Sequence, residues 1–151
     1  MKYIVLSDTH GNKKGIELLL NSVQHDGVIF AGDGASDFNN INENIIMVKG
    51  NCDFFVDLPE SVITTINNVK VLITHGNLYG VKSGLGGLIN FAEKEKVDLV
   101  IYGHNHRQSL QKINGITFLN PGTFKKSSSA KSCYAVIDFD EDKFLINMVE
   151  F

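Results

Sequence analysis

Short apolar runs that each end in a polar turn constrain this chain more than any other feature. Tyr3-Ile4-Val5-Leu6 leads into Ser7-Asp8-Thr9-His10, Val71-Leu72-Ile73 into Thr74-His75-Gly76, and Leu99-Val100-Ile101-Tyr102 into Gly103-His104-Asn105-His106. Two more runs of the same shape close on Gly32-Asp33 and on Gly50-Asn51. Four of the five histidines stand at such ends. Polar groups at the ends of several buried strands can converge at one edge of a sheet, which is how open α/β proteins build their sites. Imidazole, carboxylate and amide together are the chemistry of a transition-metal site.

Between the runs the pattern turns helical. Ile16, Leu19, Leu20 and Val23 recur at i, i+3, i+4 and i+7, as do Leu85, Leu88, Ile89 and Ala92, and that spacing marks amphipathic helices. Strands alternating with helices predict βαβ units and a largely parallel sheet. Three other stretches read as hairpins: 62–73 around Asn67-Asn68, 110–119 around Asn114-Gly115, and 134–149 around the charged turn 140–143. Two sheets packed face to face with helices outside would bury all of these. With 151 residues and no internal boundary, residues 1–151 are expected to form one domain.

A net charge of -3 leaves no broad basic field for a nucleic-acid backbone. No apolar stretch approaches a membrane span, and Met1-Lys2-Tyr3 opens directly on a strand-like run. The reading is therefore a cytoplasmic protein, with Cys52 and Cys133 as free thiols. Lys125 to Ser132 reads as an exposed loop.

Asp-x-His, Gly-Asp, Gly-Asn, His-Gly and Gly-His-x-His occur in that order, each after an apolar run. This ordered set resembles the calcineurin-like metallophosphoesterases, in particular their small, cap-less bacterial and archaeal phosphodiesterase branch, from Asp8 to the Asn120-Pro121-Gly122 turn. The resemblance implies a four-layer α/β/β/α sandwich with mixed sheets and two divalent metal ions at one end. It assigns Asp8, His10 and His106 to one ion, Asn51, His75 and His104 to the other, and Asp33 to both. Manganese is the expected metal, while the ligand types also suit Fe, Zn, Co, Ni or Mg. Two such ions with two carboxylates and a bridging hydroxide leave a residual positive charge of about +1, suited to a phosphate ester and to activating water. The expected reaction is attack of that hydroxide on phosphorus, in line with the leaving alkoxide. Asp33, Asn51, His75, Cys52 and Asp53 are the residues expected to take part in catalysis.

The chain also departs from its relatives' pattern. Gly50-Asn51-Cys52-Asp53 carries a cysteine where many relatives carry a general-acid histidine, and a thiol is the weaker acid at neutral pH. Asp53 is expected either to hydrogen-bond a ligand histidine or to serve as a turn residue. Asp37 is expected as a helix N-cap, His25 as a solvated helix-end residue, and Thr9 and Asn12 as caps of the first helix. Asn105 and the Asn120-Pro121-Gly122 turn read as structural. Phe124-Lys125-Lys126 replaces a Pro-Arg pair common in relatives, and Phe54, Phe55 and Tyr79 are candidates for an apolar rim. The expected partner is a small phosphate ester, with no nucleic acid and no membrane; a homo-oligomer stays open. Alternatives are a phosphomonoesterase or nucleotide pyrophosphatase on the same site, or a non-catalytic scaffold with this fold.

Overall fold

The computed structural model describes residues 1–128 and 131–151. Ser129 and Ala130, inside the Lys/Ser-rich loop, lie outside the described residues. The strands are β1 (Lys2–Leu6), β2 (Gly27–Phe30), β3 (Ile45–Met47), β4 (Ser61–Ile66), β5 (Val69–Thr74), β6 (Leu99–Ile101), β7 (Gln108–Ile113), β8 (Ile116–Pro121), β9 (Cys133–Asp140) and β10 (Lys143–Glu150). They form two five-stranded sheets, ordered β10-β9-β1-β2-β3 and β4-β5-β6-β8-β7. Both are mixed: β1, β2 and β3 run parallel, as do β5, β6 and β8, with antiparallel hairpins at β4/β5, β7/β8 and β9/β10.

Alternation along each strand builds three apolar layers. Tyr3 and Val5 of β1 face the middle layer with Ile29, Val71, Ile73, Leu99, Ile101 and Leu119, so that layer lies between the sheets. Ile4 and Leu6 face the other way, with Val28 and Phe30, onto Ile16 and Leu19 of the helix α1 (Lys13–Ser22). Leu72, Val100 and Phe118 face Leu88 and Ala92 of α2 (Gly86–Glu95). Residues two apart share a face of a strand, so one run of consecutive apolar residues supplies both layers. Each fully buried Leu, Ile or Phe contributes about 1.5–3 kcal/mol relative to exposure.

α1 starts where the Asn12 side chain accepts the Gly15 N–H at 3.2 Å, so Asn12 caps it as expected. The Asn12 amide also donates to the Phe124 carbonyl at 2.8 Å, which ties the first helix to the chain after β8. His25 differs from expectation. Its side chain is 7% exposed, with Nδ1 2.7 Å from the Val23 carbonyl and Nε2 3.2 Å from Glu43, so it packs rather than standing in solvent. No helix among the described residues is long and apolar enough to cross a membrane.

Candidate metal centre

Because β1, β2 and β3 are parallel, their C-terminal ends share one edge of the first sheet; β5 and β6 do the same in the second. Asp8 and His10 follow β1, Asp33 follows β2, Asn51 follows β3, His75 follows β5, and His104 and His106 follow β6. The two edges meet. The Gly103 N–H donates to the His75 carbonyl at 3.0 Å within the second edge, and the His104 N–H joins it to the first by donating to Asp8 Oδ2 at 3.1 Å, across 96 residues of sequence.

The backbone turns sharply at these positions. Asp8, His10, Asp33, His104 and His106 adopt φ of 53°, 41°, 65°, 74° and 62°. L-residues rarely enter this left-handed region, and such strain persists only where surrounding structure imposes it, commonly at functional sites. Gly50 shows why a small residue is needed alongside: a Cβ there would overlap Asp33 Oδ1 and lie 2.7 Å from the Asp33 amide nitrogen.

The donor atoms gather in three overlapping groups, each within 4.8 Å: Asp8, His10 and His106; Asp33, His75 and His104; and His10, Asp33 and Cys52. Asp8 and Asp33 are 0% and 3% exposed. His75 Nε2 lies 3.2 Å from both Asp33 Oδ2 and His104 Nδ1. The opposite ring nitrogen of His75 is 2.7 Å from the Ala31 carbonyl, which requires a proton on Nδ1 and turns Nε2 toward the carboxylates. Asp8 Oδ1 and His10 Nε2 are both buried without a hydrogen-bond partner, although Oδ1 is 3.8 Å from His10 and 3.1 Å from His106. Orphaned buried polar atoms are costly, and a cation between these two would satisfy both. The donor set therefore fits divalent metal ions. Asn51 is exposed, with its Nδ2 3.5 Å from Cys52 Sγ at the edge of the third group.

The charges follow from this packing. Burial alone would raise the Asp33 carboxyl, but hydrogen bonds from His75 and the Cys52 amide outweigh it and bring it from 3.8 to about 2. Burial opposes protonation of His75, yet its bond to Asp33 and the Asp8 charge prevail and raise it. His104 is lowered by burial and by its charged neighbour His75. Desolvation and the Asp33 charge push the Cys52 thiol up, so it keeps its proton at neutral pH.

Two carboxylates do work that their sequence context conceals. Asp53 accepts four backbone N–H groups: Asp33 and Gly50 at 2.8 Å, Gly34 and Ala35 at 2.9 Å. It binds the Asp33 loop itself, and these partners are amides rather than a histidine ring. Asp37 is not an N-cap. Gly34 precedes the short 3-10 turn Ala35–Phe38, and Asp37 Oδ2 instead accepts Thr9 Oγ1 at 2.7 Å and the Gly11 N–H at 2.8 Å. Thr9 therefore serves this contact rather than the first helix. The only sequence sign of either role was an acidic residue near a motif.

The remaining candidates separate. Asn105 Oδ1 accepts from the Arg107 amide and from Asn120 Nδ2, while buried Asn120 also donates to the Gly103 carbonyl, so both shape the 103–107 turn. Phe54 and Phe55 are exposed, whereas Tyr79 packs on Phe91 of α2 at 5.4 Å between ring centroids. Lys131 pairs with Glu150 at 3.4 Å, and Lys125 and Lys126 are exposed. Both cysteines are free thiols.

Comparison with known proteins agrees with the geometry. The chain is 28% identical over 146 residues to the probable metallophosphoesterase YsnB of Bacillus subtilis, covering 94% of this chain and 86% of that one. It is 32% identical over 150 residues to the phosphodiesterase MJ0936 of Methanocaldococcus jannaschii, covering 81% of this chain and 83% of that one. The structure of a conserved uncharacterized protein of Streptococcus pneumoniae, a predicted phosphoesterase, superimposes with a TM-score of 0.83 at 28% identity, over 99% of this chain and 88% of that one. The Vacuolar Protein Sorting 29 structure of Cryptosporidium parvum, at 21% identity and a TM-score of 0.76 over 99% and 97% of the two chains, shares the fold. The calcineurin-like phosphoesterase superfamily domain matches residues 1–142, nearly the whole chain, and this chain therefore belongs to that superfamily.

Proposed function

We propose that the protein is a metal-dependent phosphodiesterase acting at a centre of two divalent cations within a single domain. The observation that carries this reading is the pair of three-donor groups, Asp8-His10-His106 and Asp33-His75-His104, brought together from both sheets. Asp8, His10 and His106 would hold one cation, and Asn51, His75 and His104 the other, with Asp33 shared. Manganese is the proposed metal; Fe, Zn, Co, Ni and Mg suit the same nitrogen and oxygen donors. Bound there, such cations supply Lewis acidity toward a phosphoryl oxygen and lower the pKa of water to about 7.

The chain's own groups do the rest. The bond from His75 to the Ala31 carbonyl keeps Nε2 free as a donor toward the centre. Asp33 stays ionised through the whole neutral range, because its carboxyl lies at about 2. Cys52 lies beside His10 and Asp33, where its thiol, raised by burial and by the Asp33 charge in the metal-free protein, would be placed to give a proton to a departing alkoxide. The phosphodiesterase name of the M. jannaschii relative supports a diester over a monoester.

The test compares a nitrophenyl phosphodiester, a nitrophenyl phosphomonoester and a dinucleoside polyphosphate on chelator-stripped protein, with and without added Mn²⁺. The expected result is Mn²⁺-dependent turnover that favours the diester. No recovered turnover on any ester overturns the reading, and monoester preference replaces it with a phosphomonoesterase.

A further inference from the structure

His75 and His10 are oriented by different means. The ring of His75 is oriented through its own Nδ1, 2.7 Å from a backbone carbonyl. Neither ring nitrogen of His10 makes a hydrogen bond among the described residues, Nε2 being buried without a partner, and the residue carries a strained φ of 41°. What holds it is the backbone on either side. A single oxygen of Asp37, itself 7% exposed, accepts the Thr9 hydroxyl at 2.7 Å and the Gly11 amide at 2.8 Å, the two neighbours of His10. The His10 amide completes the hold by donating to the Asp33 carbonyl at 3.3 Å. Gly34 leaves room for the clamp: a Cβ at that position would overlap the Thr9 hydroxyl and come within 2.9 Å of Asp37 Oδ2.

We propose that Asp37 is a positioning residue for one half of the centre: it grips Thr9 and Gly11 and so sets the left-handed turn that aims His10. The inference rests on the two-cation reading above. It follows because a donor without a ring hydrogen bond depends on its backbone for direction, and residues that orient metal donors typically govern 10- to 100-fold of affinity, on the order of what is expected here. Asp37 contacts none of the three donor atoms of the Asp33-His75-His104 group in any bond described above, so its influence should stop at the His10 half.

The test is calorimetric titration of Mn²⁺ into the chelator-stripped full chain, with circular dichroism to confirm folding. Wild type is expected to take up two ions in two distinguishable steps. Asp37→Ala should weaken one step by roughly 10- to 100-fold and leave the other unchanged. It should weaken the same step as His10→Ala and add no further loss in the His10→Ala background, because coupled residues are not additive. Asp37→Asn, which keeps an acceptor oxygen, should recover most of the loss. Thr9→Val removes one of the two bonds, should weaken that same step by less, and carries the test if Asp37→Ala does not fold. Equal weakening of both steps, additive loss with His10→Ala, or unchanged binding in Asp37→Ala or Thr9→Val overturns the proposal. A wild type that takes up no Mn²⁺ overturns the two-cation reading instead.

Discussion

The carboxylate of Asp53 accepts the backbone N–H of Asp33 at 2.8 Å across twenty residues of chain, and three more amides of the same two loops complete its shell. Asp33 thus stands at the head of a loop whose three successive amides, those of Asp33, Gly34 and Ala35, are directed at one neighbouring anion. Asp53→Ala would strand four N–H groups together. A bond to a charged acceptor contributes about 1.5–3 kcal/mol, and the four are not additive, so urea denaturation should show a loss of about 3 kcal/mol. A loss below about 1 kcal/mol would show that the loop holds its shape without this carboxylate.

Gly50 lies against the other side of Asp33. Gly50→Ala would press a methyl group into Asp33 Oδ1 and to within 2.7 Å of the Asp33 amide, and neither backbone can move far while Asp53 binds both. Cation uptake measured by calorimetry should fall at least about tenfold, as for loss of a group orienting a ligand. Unchanged uptake would mean that the loops yield at no cost.

The Asp33-His75 pair makes opposite predictions for stripped and loaded protein. His75 is raised above its ordinary 6.5, so its contribution to the stability of the stripped protein is present below pH 6.5 and fades as pH rises through the folded value. Asp33 is lowered, so its contribution is present above pH 3.8 and is lost as pH falls toward about 2. The melting temperature of chelator-treated protein should therefore decline as pH climbs from 6.5. Mn²⁺ affinity should rise over the same interval, because the cation competes with the His75 proton. If the two move in the same direction, the pair does not act as described.

Cys52 is tested by its leaving group. A thiol that keeps its proton can assist departure of a poor leaving group and adds nothing to a good one. Cys52→Ala should leave turnover of a nitrophenyl diester nearly unchanged and slow an alkyl diester by about a hundredfold, the lower range for general-acid assistance. Equal effects on both esters would remove the residue from the chemistry.

Much of this architecture is legible in the primary structure because its signals are local. Runs such as Tyr3 to Leu6 and Leu99 to Tyr102 report strands, the i, i+3, i+4 spacing of Ile16 and Leu19 reports a helix, and Asn114-Gly115 reports a hairpin, each within a few residues. The candidate donors show themselves in the same way, as polar residues directly after such runs. What escaped was long-range. Asp37 meets Gly11 across 26 residues, and His25 meets Glu43 across 18, so a local reading made the first a cap and the second a solvated histidine.

The order of residues by itself determined which segments are strands, which are helices, and which side chains can donate to a metal, since periodicity and turn chemistry act between near neighbours. Only the folded chain decided that the ends of β1, β2 and β3 face those of β5 and β6, that five candidate donor residues sit in the left-handed region, and that Asp53 and Asp37 each bind a loop carrying such a residue. Those relationships depend on how two sheets pack through a shared apolar layer, and packing is a property of all the buried surfaces at once.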